Sequence, residues 1–367
     1  MPEDRGDTGQ RTVLTAVYAG CVKPLPKDDL DHVLEYTRSL WEGARGGRIF
    51  IAGGTGFFGA WLLESVAHCN RKLSLGLSAT VLSRDPHAFL QRMPHLASDP
   101  SIQLVQGDIR TFEFRDCKFD FLIHGAAPTT ASGSTGAADL MSILVSGTER
   151  VLEMAKKNCD ARLLYLSSGA VYGRQPEGMS QIPEDYKGGP AGLGPDSAYA
   201  EGKRISERMC ALLAREFGIQ CSIARCFAFV GPHLPLREHF AIGNFIADAL
   251  AGKTVSVRGD GTPVRSYLYA ADLAIWLWTL LFRAGESGAN LTTFNVGSSH
   301  SISIGDLARE VVNVINHELK VEIAGVSDLG AKRVRYVPDV RKAQAELGLR
   351  ERIELREAIR RTAAWYQ

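Results

Sequence analysis

No stretch of the 367-residue chain approaches the roughly 18–20 consecutive apolar residues that a membrane helix needs. The best candidate, Ala274 to Phe282, reads as one core helix. Neither sign of charge is in excess: 42 Lys and Arg stand against 41 Asp and Glu, a formal net charge of +1. Nucleic-acid binders are usually basic overall or carry a basic stripe, so no nucleic-acid partner is expected. Cysteine never occurs as Cys-x-x-Cys, and the nearest pair, Cys221 and Cys226, has no His or Cys at metal-ligand spacing. No metal site is expected. The seven cysteines form an odd, scattered set, which points to reduced thiols and a cytoplasmic protein. Glu3 and Asp4 stand near the start with no apolar signal core behind them, which argues against a secretory peptide. Internal repeats and low-complexity segments are also missing. The remaining composition, 45% apolar and 23% charged, is that of an ordinary globular protein and excludes disorder, collagen and coiled coil as the main state.

At roughly 100–200 residues per domain the length suggests two lobes. Residues 1–47 stand apart as an N-terminal extension. Its first 12 residues are polar; after Pro24 and Pro26, Leu30, Val33, Leu34 and Trp41 fall near helical spacing among charged residues. That spacing predicts an amphipathic helix docked on the main body, with a lid or a partner-binding element as the alternative. From Arg48 strand and helix alternate. Strands are expected at 48–52, 79–83, 102–106, 119–124, 161–167 and 221–226, with helices at 60–68, 140–157 and 197–217 between them. Repeated β-α-β with non-alternating apolar strands means a doubly wound parallel sheet over 48–230. After Val230 the glycines and prolines divide the chain into shorter elements, with amphipathic helices at 303–317 and 355–366. A smaller C-terminal α/β lobe over 231–367 is expected to bind substrate over the sheet's carboxyl edge, with segments near 267–298 returning to the sheet.

Gly53, Gly56 and Gly59, in GGTGFFG at 53–59, follow a strand and open a helix. Glycines there permit a tight turn and let backbone N–H groups approach a pyrophosphate beside a helix N-terminus, the Rossmann-type arrangement for a dinucleotide. Thr55, Phe57 and Phe58 belong to the same loop. At the second strand's tip, Ser83-Arg84 replaces the acid that would hold a ribose diol. Arg84 either takes a 2′-phosphate, favouring NADP over NAD, or stacks on adenine or pairs with Asp85. Asp108, after the third strand, either accepts from the adenine amino group or caps a turn. Tyr199 and Lys203 are four apart on a predicted helix and share one face. An ammonium there is expected to lower the phenol's pKa toward working pH, so that Tyr199 can exchange a proton with a substrate oxygen while hydride moves to or from nicotinamide. A serine at the tip of the 161–167 strand can hold the same oxygen.

Taken in order, GGTGFFG at 53–59, Gly107-Asp108, His124-Gly-Ala126-Ala127, SSGAVYG at 167–173, YAEGK at 199–203, Arg225 leading to Gly231-Pro232, GDGTPVRSYLYAADLA at 259–274 and Phe294-Asn295-Val296-Gly297 resemble the extended short-chain dehydrogenase/reductase family, in its nucleotide-sugar epimerase/dehydratase branch. The resemblance covers residues 48 to 366. It implies that Asp108 and Ile109 bracket adenine, and that Ala126 and Ala127 line the diphosphate and nicotinamide ribose. Ser168 becomes the catalytic serine, Tyr199 the acid/base and Lys203 its electrostatic partner, which also holds the ribose. Arg265 resembles the arginine that reaches the sugar nucleotide's diphosphate; a sheet-edge salt bridge is the alternative. His233 is a candidate to face the sugar, against an ordinary surface-loop histidine. The implied substrate is a nucleoside-diphosphate sugar and the implied assembly a homodimer.

The departures from the branch set the functional expectation. Dehydratases and decarboxylases usually carry an acid after the strand-tip residue, whereas Ser168 is followed by Gly169 and Ala170. Three residues after Arg225, Ala228 stands where the family usually has Asn. Epimerisation at C4 through a transient 4-keto sugar needs only Ser168, Tyr199 and Lys203 and is the leading expectation. An NADPH-dependent 4-ketoreductase is the alternative. A 4,6-dehydratase or decarboxylase ranks third and a non-catalytic nucleotide sensor last.

Overall fold

The computed structural model describes residues 22–113, 118–127, 136–158, 160–238, 240–325 and 334–367, so residues 1–21 of the expected extension lie outside the described residues. Strands β1 (Arg48–Ala52), β2 (Ser78–Ser83), β3 (Ile102–Gln106), β4 (Phe121–His124), β5 (Arg162–Ser168), β6 (Cys221–Cys226) and β7 (Leu291–Val296) form a seven-stranded sheet. Its order is β7-β6-β5-β4-β1-β2-β3 and every pairing is parallel. The strand order reverses between β1 and β4, which opens a ligand crevice at the carboxyl edge.

Alternate side chains of each strand feed two separate cores. On one face Phe50, Leu122, Leu163 and Tyr165 pack with Ile143 and Val151 of helix α3 (Ala137–Lys157) and Leu213 of α4 (Ala198–Phe217). On the other, Ile49, Ile51, Val81 and Leu164 pack with α2 (Phe57–Leu73) and α5 (Ala270–Phe282). Burial on both faces explains why these strands read as unbroken apolar runs.

All of α5 is buried, from Ala270 to Phe282. The sheet covers one side and the expected N-terminal helix, α1 (Lys27–Gly43), covers the other. The Trp41 ring lies 4.5 Å from Trp278 and 5.0 Å from Phe282. Asp29 of α1 is 1% exposed, yet both its oxygens are satisfied: Tyr269 Oη donates at 2.6 Å, and Arg361 of helix α6 (Leu355–Tyr366) donates at 2.6 Å. Asp272, also buried, accepts from the backbone N–H of Arg352 at 2.8 Å and of Ile353 at 3.0 Å. A buried carboxylate is tolerated only with such partners. For residues 22–47 the docked extension is therefore the arrangement found.

Beyond Val230 short strands dominate. Val264–Arg265 pairs antiparallel with Ile302–Ser303 and parallel with Arg335–Tyr336, which sets Arg265 and Tyr336 in register. Leu291–Val296 returns to the main sheet as its edge strand β7. Among the described residues no helix is long and apolar enough to cross a membrane. The cysteines Cys69, Cys210, Cys221 and Cys226 are free, buried thiols.

Candidate active site

A cavity of about 880 Å³ opens over the carboxyl ends of β1, β4 and β5. The glycine loop forms one wall, and its three glycines answer three different demands. Gly53 has φ +92°, and a Cβ there would meet the Gly125 backbone at 2.5 Å. Gly59 lies against Gly54, where a Cβ would meet backbone at 2.1 Å. Gly56 caps α2 with no side chain, and a Cβ there would project into open space. Phe57, Phe58 and Gly59, in the first turn of α2, thus line the cavity with Thr55 beside them. That is the cradle a pyrophosphate needs, and the residues fit a nicotinamide dinucleotide.

Ser83 and Arg84 line the cavity at the tip of β2. Ser83 Oγ accepts from the Asp85 N–H at 3.2 Å, and Asp85 Oδ1 accepts from the Ala88 N–H at 2.9 Å. Asp85 therefore caps the following helix, and among the described residues it makes no ion pair with Arg84. Asp108 accepts from Arg110 three times: from the backbone N–H at 2.9 Å, from Nε at 2.8 Å and from a terminal nitrogen at 2.7 Å. Hydrogen bonding to the Arg110 side chain holds its carboxyl down at about 2. Asp108 thus caps its own turn and at the same time lines the cavity. Ile109, Ala126 and Ala127 line the same wall.

Ser168 ends β5, Tyr199 opens α4 and Lys203 follows one turn later; all three line the cavity. Ser168 Oγ accepts from the Ala170 N–H at 3.2 Å. Lys203 Nζ donates to the Leu166 carbonyl at 2.6 Å and lies 5.9 Å from the Tyr199 ring centre. Burial pushes its ammonium down to about 8. Burial also pushes Tyr199 up to about 12, with the Ser168 hydrogen bond acting in the opposite direction. This corrects the expected lowering of the phenol by Lys203. The ammonium is aimed at a backbone carbonyl rather than at the phenol oxygen, and desolvation of the phenol outweighs it.

At the other end, Arg265 lines the cavity, its guanidinium 5.8 Å from the Tyr336 ring centre. It donates to the Val264 carbonyl at 2.9 Å, and no carboxylate pairs with it among the described residues. The sheet-edge salt bridge is therefore not the arrangement found. His233 is neither in the cavity wall nor on the surface. Its side chain is 8% exposed, φ is +68°, and Nε2 lies 3.2 Å from Glu64 Oε1. Glu64 also accepts from the Leu25 N–H at 2.7 Å, so His233 helps anchor the N-terminal segment. Burial pushes the Glu64 carboxyl up, but bonds from His233, His95 and Leu25 outweigh it and hold the group below the usual range. The expectation that His233 faces the sugar is corrected: the left-handed backbone turns the ring inward toward that carboxylate.

Several wall residues carried no signal in the sequence. Cys226 and Phe227 continue from β6, Tyr267 precedes α5, and Tyr336 comes from the lobe's short strand. Gly169 and Ala170 offer no acid. A glycine loop at a strand–helix turn, with a Ser, a Tyr and a Lys gathered on one cavity floor, is the site of a nicotinamide-dependent enzyme, and the model of the NAD-dependent epimerase/dehydratase family matches residues 49–297. The chain belongs to the NAD-dependent epimerase/dehydratase family.

Other members of the epimerase/dehydratase family are similar over most of the chain. UDP-glucuronic acid decarboxylase 5 of Arabidopsis thaliana is 28% identical over 313 residues, 85% of this chain and 87% of its own. UDP-glucuronic acid decarboxylase 1 of Xenopus tropicalis is 29% identical over 322 residues, 87% and 72% of the two chains. Among solved structures, a UDP-galactose 4-epimerase superposes with TM-score 0.68 at 26% identity, covering 86% of this chain and 97% of its own. A dTDP-glucose 4,6-dehydratase from Streptomyces venezuelae shares the fold, with TM-score 0.69 at 24% identity, covering 87% and 96%. The chain is thus a nucleotide-sugar epimerase/dehydratase family enzyme that uses NAD chemistry.

Proposed function

We propose that this enzyme interconverts nucleoside-diphosphate sugars by oxidising and then re-reducing one hydroxyl carbon, with inversion at C4 as the reaction. One observation carries the reading. Ser168, Tyr199 and Lys203 meet on the cavity floor, while positions 169 and 170 bring no acid to it. A bound oxidised nicotinamide would supply the acceptor, and later the donor, of the C4 hydride. Tyr199 takes the proton of the C4 hydroxyl and later gives it back. Ser168 holds the same oxygen through its hydroxyl. Lys203 adds a buried positive charge one helical turn from the phenol, favouring the phenolate. Arg265, which meets no carboxylate among the described residues, takes the diphosphate. The substrate turns its other face to the cofactor between the two half-reactions, in the part of the cavity walled by Phe227 and Tyr267.

Two further readings have an observation each. Arg84, unpaired at the β2 tip among the described residues, favours an NADPH-dependent 4-ketoreductase. The names of the curated relatives favour decarboxylation of a nucleotide-linked uronic acid, where C4 oxidation would weaken the bond to the C5 carboxylate. The deciding experiment incubates the protein with nucleotide-linked hexoses and uronic acids, with and without NADPH, and follows product mass. Epimerisation gives a product of unchanged mass with no added reductant. Loss of one carbon dioxide, loss of one water, or stoichiometric consumption of NADPH would each overturn it in favour of a named alternative.

A further inference from the structure

The two residues just before Ser168 tie the tip of β5 to successive turns of helix α4. Lys203 Nζ donates to the Leu166 carbonyl at 2.6 Å. One turn further along the helix, Glu207 accepts from Ser167 Oγ at 2.5 Å. Ser167 and Glu207 are buried, at 4% and 9% exposure. Glu207 is also gripped from its other side. Arg225 of β6 donates to its two oxygens from Nε, at 3.0 and 3.2 Å, and to one of them from Nη2, at 2.7 Å. Arg225 Nη1 donates in turn to Tyr172 Oη at 2.9 Å and to the Glu184 carbonyl at 3.0 Å. Tyr172 Oη donates to Asn295 of β7 at 2.7 Å. This chain of hydrogen bonds runs from the β5 tip past β6 to the edge strand. Glu207 lies in none of the motifs that carry the family resemblance, and Ser167 has no part in the reaction proposed above.

We propose that Ser167 and Glu207 are positioning residues that hold Ser168 in register with Tyr199. The Ser167 side chain leaves β5 toward α4, on the face where Tyr165 is buried. Successive side chains of a strand leave it on opposite faces, so fixing the direction of Ser167 fixes that of Ser168 beside it. The anchor is a carboxylate that Arg225 already holds in place, so the hydroxyl is bonded to a fixed point. That point lies on the same helix as Tyr199, two turns away from it. Strand serine and helix phenol are thereby referred to one rigid frame. The Ser167 bond is not needed to satisfy the buried carboxylate, because Arg225 compensates its charge and reaches both of its oxygens. Its effect falls on the strand tip. Lys203 makes the neighbouring tie, but it also supplies charge to the site, which leaves Ser167 as the member whose loss disturbs alignment alone.

This inference rests on the roles proposed above for Ser168 and Tyr199. Ser167→Ala removes one hydroxyl and leaves the Glu207–Arg225 pair in place, so the unfolding midpoint should hardly move. Turnover should fall about tenfold with KM unchanged, because a small misplacement of the reacting groups costs rate rather than binding. In a Ser168→Ala background the same substitution should cost less than about twofold, since the hydroxyl it aims is already gone. Amide hydrogen exchange at Ser167 and Ser168 needs no substrate and should quicken about tenfold, the factor for one lost hydrogen bond to a charged group. Unchanged exchange overturns the proposal. So does an equal loss of turnover in both backgrounds, or normal turnover beside quickened exchange, since the bond would then be a structural tie and nothing more. A sugar product of another mass would replace the functional reading and leave these comparisons standing, whereas normal turnover in Ser168→Ala would remove both.

Discussion

Around Asp29 and around Tyr199 the fold buries ionisable groups, and it treats the two sets in opposite ways. Asp29 is surrounded by matching partners: Tyr269 and Arg361 both donate to it, and Glu357 accepts from Arg361 at 2.6 Å in turn. Glu64 with His233 and Leu25 repeats the pattern nearby. At the cavity floor, Lys203 is 3% exposed and its ammonium meets one backbone carbonyl, with no ion pair among the described residues. Burial pushes the phenols of Tyr199 and Tyr336 up, Tyr199 to about 12. Fully paired charges fasten elements together. Groups left to desolvation beside an open cavity have displaced proton affinities, which is the condition for proton transfer.

The contrast breaks if either cluster does the other's work. Tyr199→Phe should lower turnover at least about 10²–10⁴-fold, the range for losing a positioned acid/base, with unfolding and cofactor binding nearly unchanged. Near-normal turnover in that variant would remove Tyr199 from the reaction. Asp29→Ala should do the reverse. It strands the Tyr269 hydroxyl and leaves Arg361 with Glu357 alone, and should cost about 2–4 kcal/mol in denaturant unfolding. That lies toward the low side of the range for breaking a buried pair, because Arg361 keeps some solvent access. Turnover per folded molecule should hold. A stable variant with poor turnover would put the N-terminal helix into the chemistry.

Arg84→Ala sharpens the contrast at the cavity's rim. If the guanidinium takes a 2′-phosphate, NADP affinity should fall by about 1.5–3 kcal/mol, the loss expected for a charged hydrogen bond, while NAD affinity stays put. Equal losses by calorimetry would mean that Arg84 stacks on adenine. The mildest effect concerns His124, whose hydrogen-bond partner among the described residues is Thr148, at 2.8 Å, with Nδ1 unpartnered among them. Burial, then the Lys203 charge, push the imidazole down to about 3. The folded state refuses a proton that the unfolded chain takes below its ordinary value near 6.5. Its contribution is therefore complete above that pH and is lost as pH falls toward about 3, at about 1.4 kcal/mol per pH unit. Unfolding midpoints measured from pH 7 to 5 should fall less steeply in His124→Gln. An identical slope would mean that water reaches the ring.

Local chemistry was legible along the chain because it depends on near neighbours. The predicted strand at 102–106 and the helix at 355–366 match the observed elements residue for residue. The 60–68 helix is longer, at 57–73, because the glycine loop feeds directly into its first turn. The strand expected at 119–124 starts at Phe121, since Asp120 instead accepts from the Arg48 N–H at 2.7 Å. The glycine loop and the Tyr199–Lys203 face follow from turn geometry and helical spacing, which need no knowledge of distant residues.

Residues separated by long stretches of chain could not be paired from spacing alone. His233 looked like a loop residue and is bonded to Glu64, 169 positions away. Gly169 reads in the sequence as a missing acid, and only the register of Arg335–Tyr336 with Val264–Arg265 shows that a phenol fills its place. The proton affinity of Tyr199 likewise depends on how deeply the folded walls bury it. Periodicity and turn chemistry set the elements and the identity of the reacting groups. Desolvation and long-range register, which exist only once the chain has closed on itself, set their partners and their charge states.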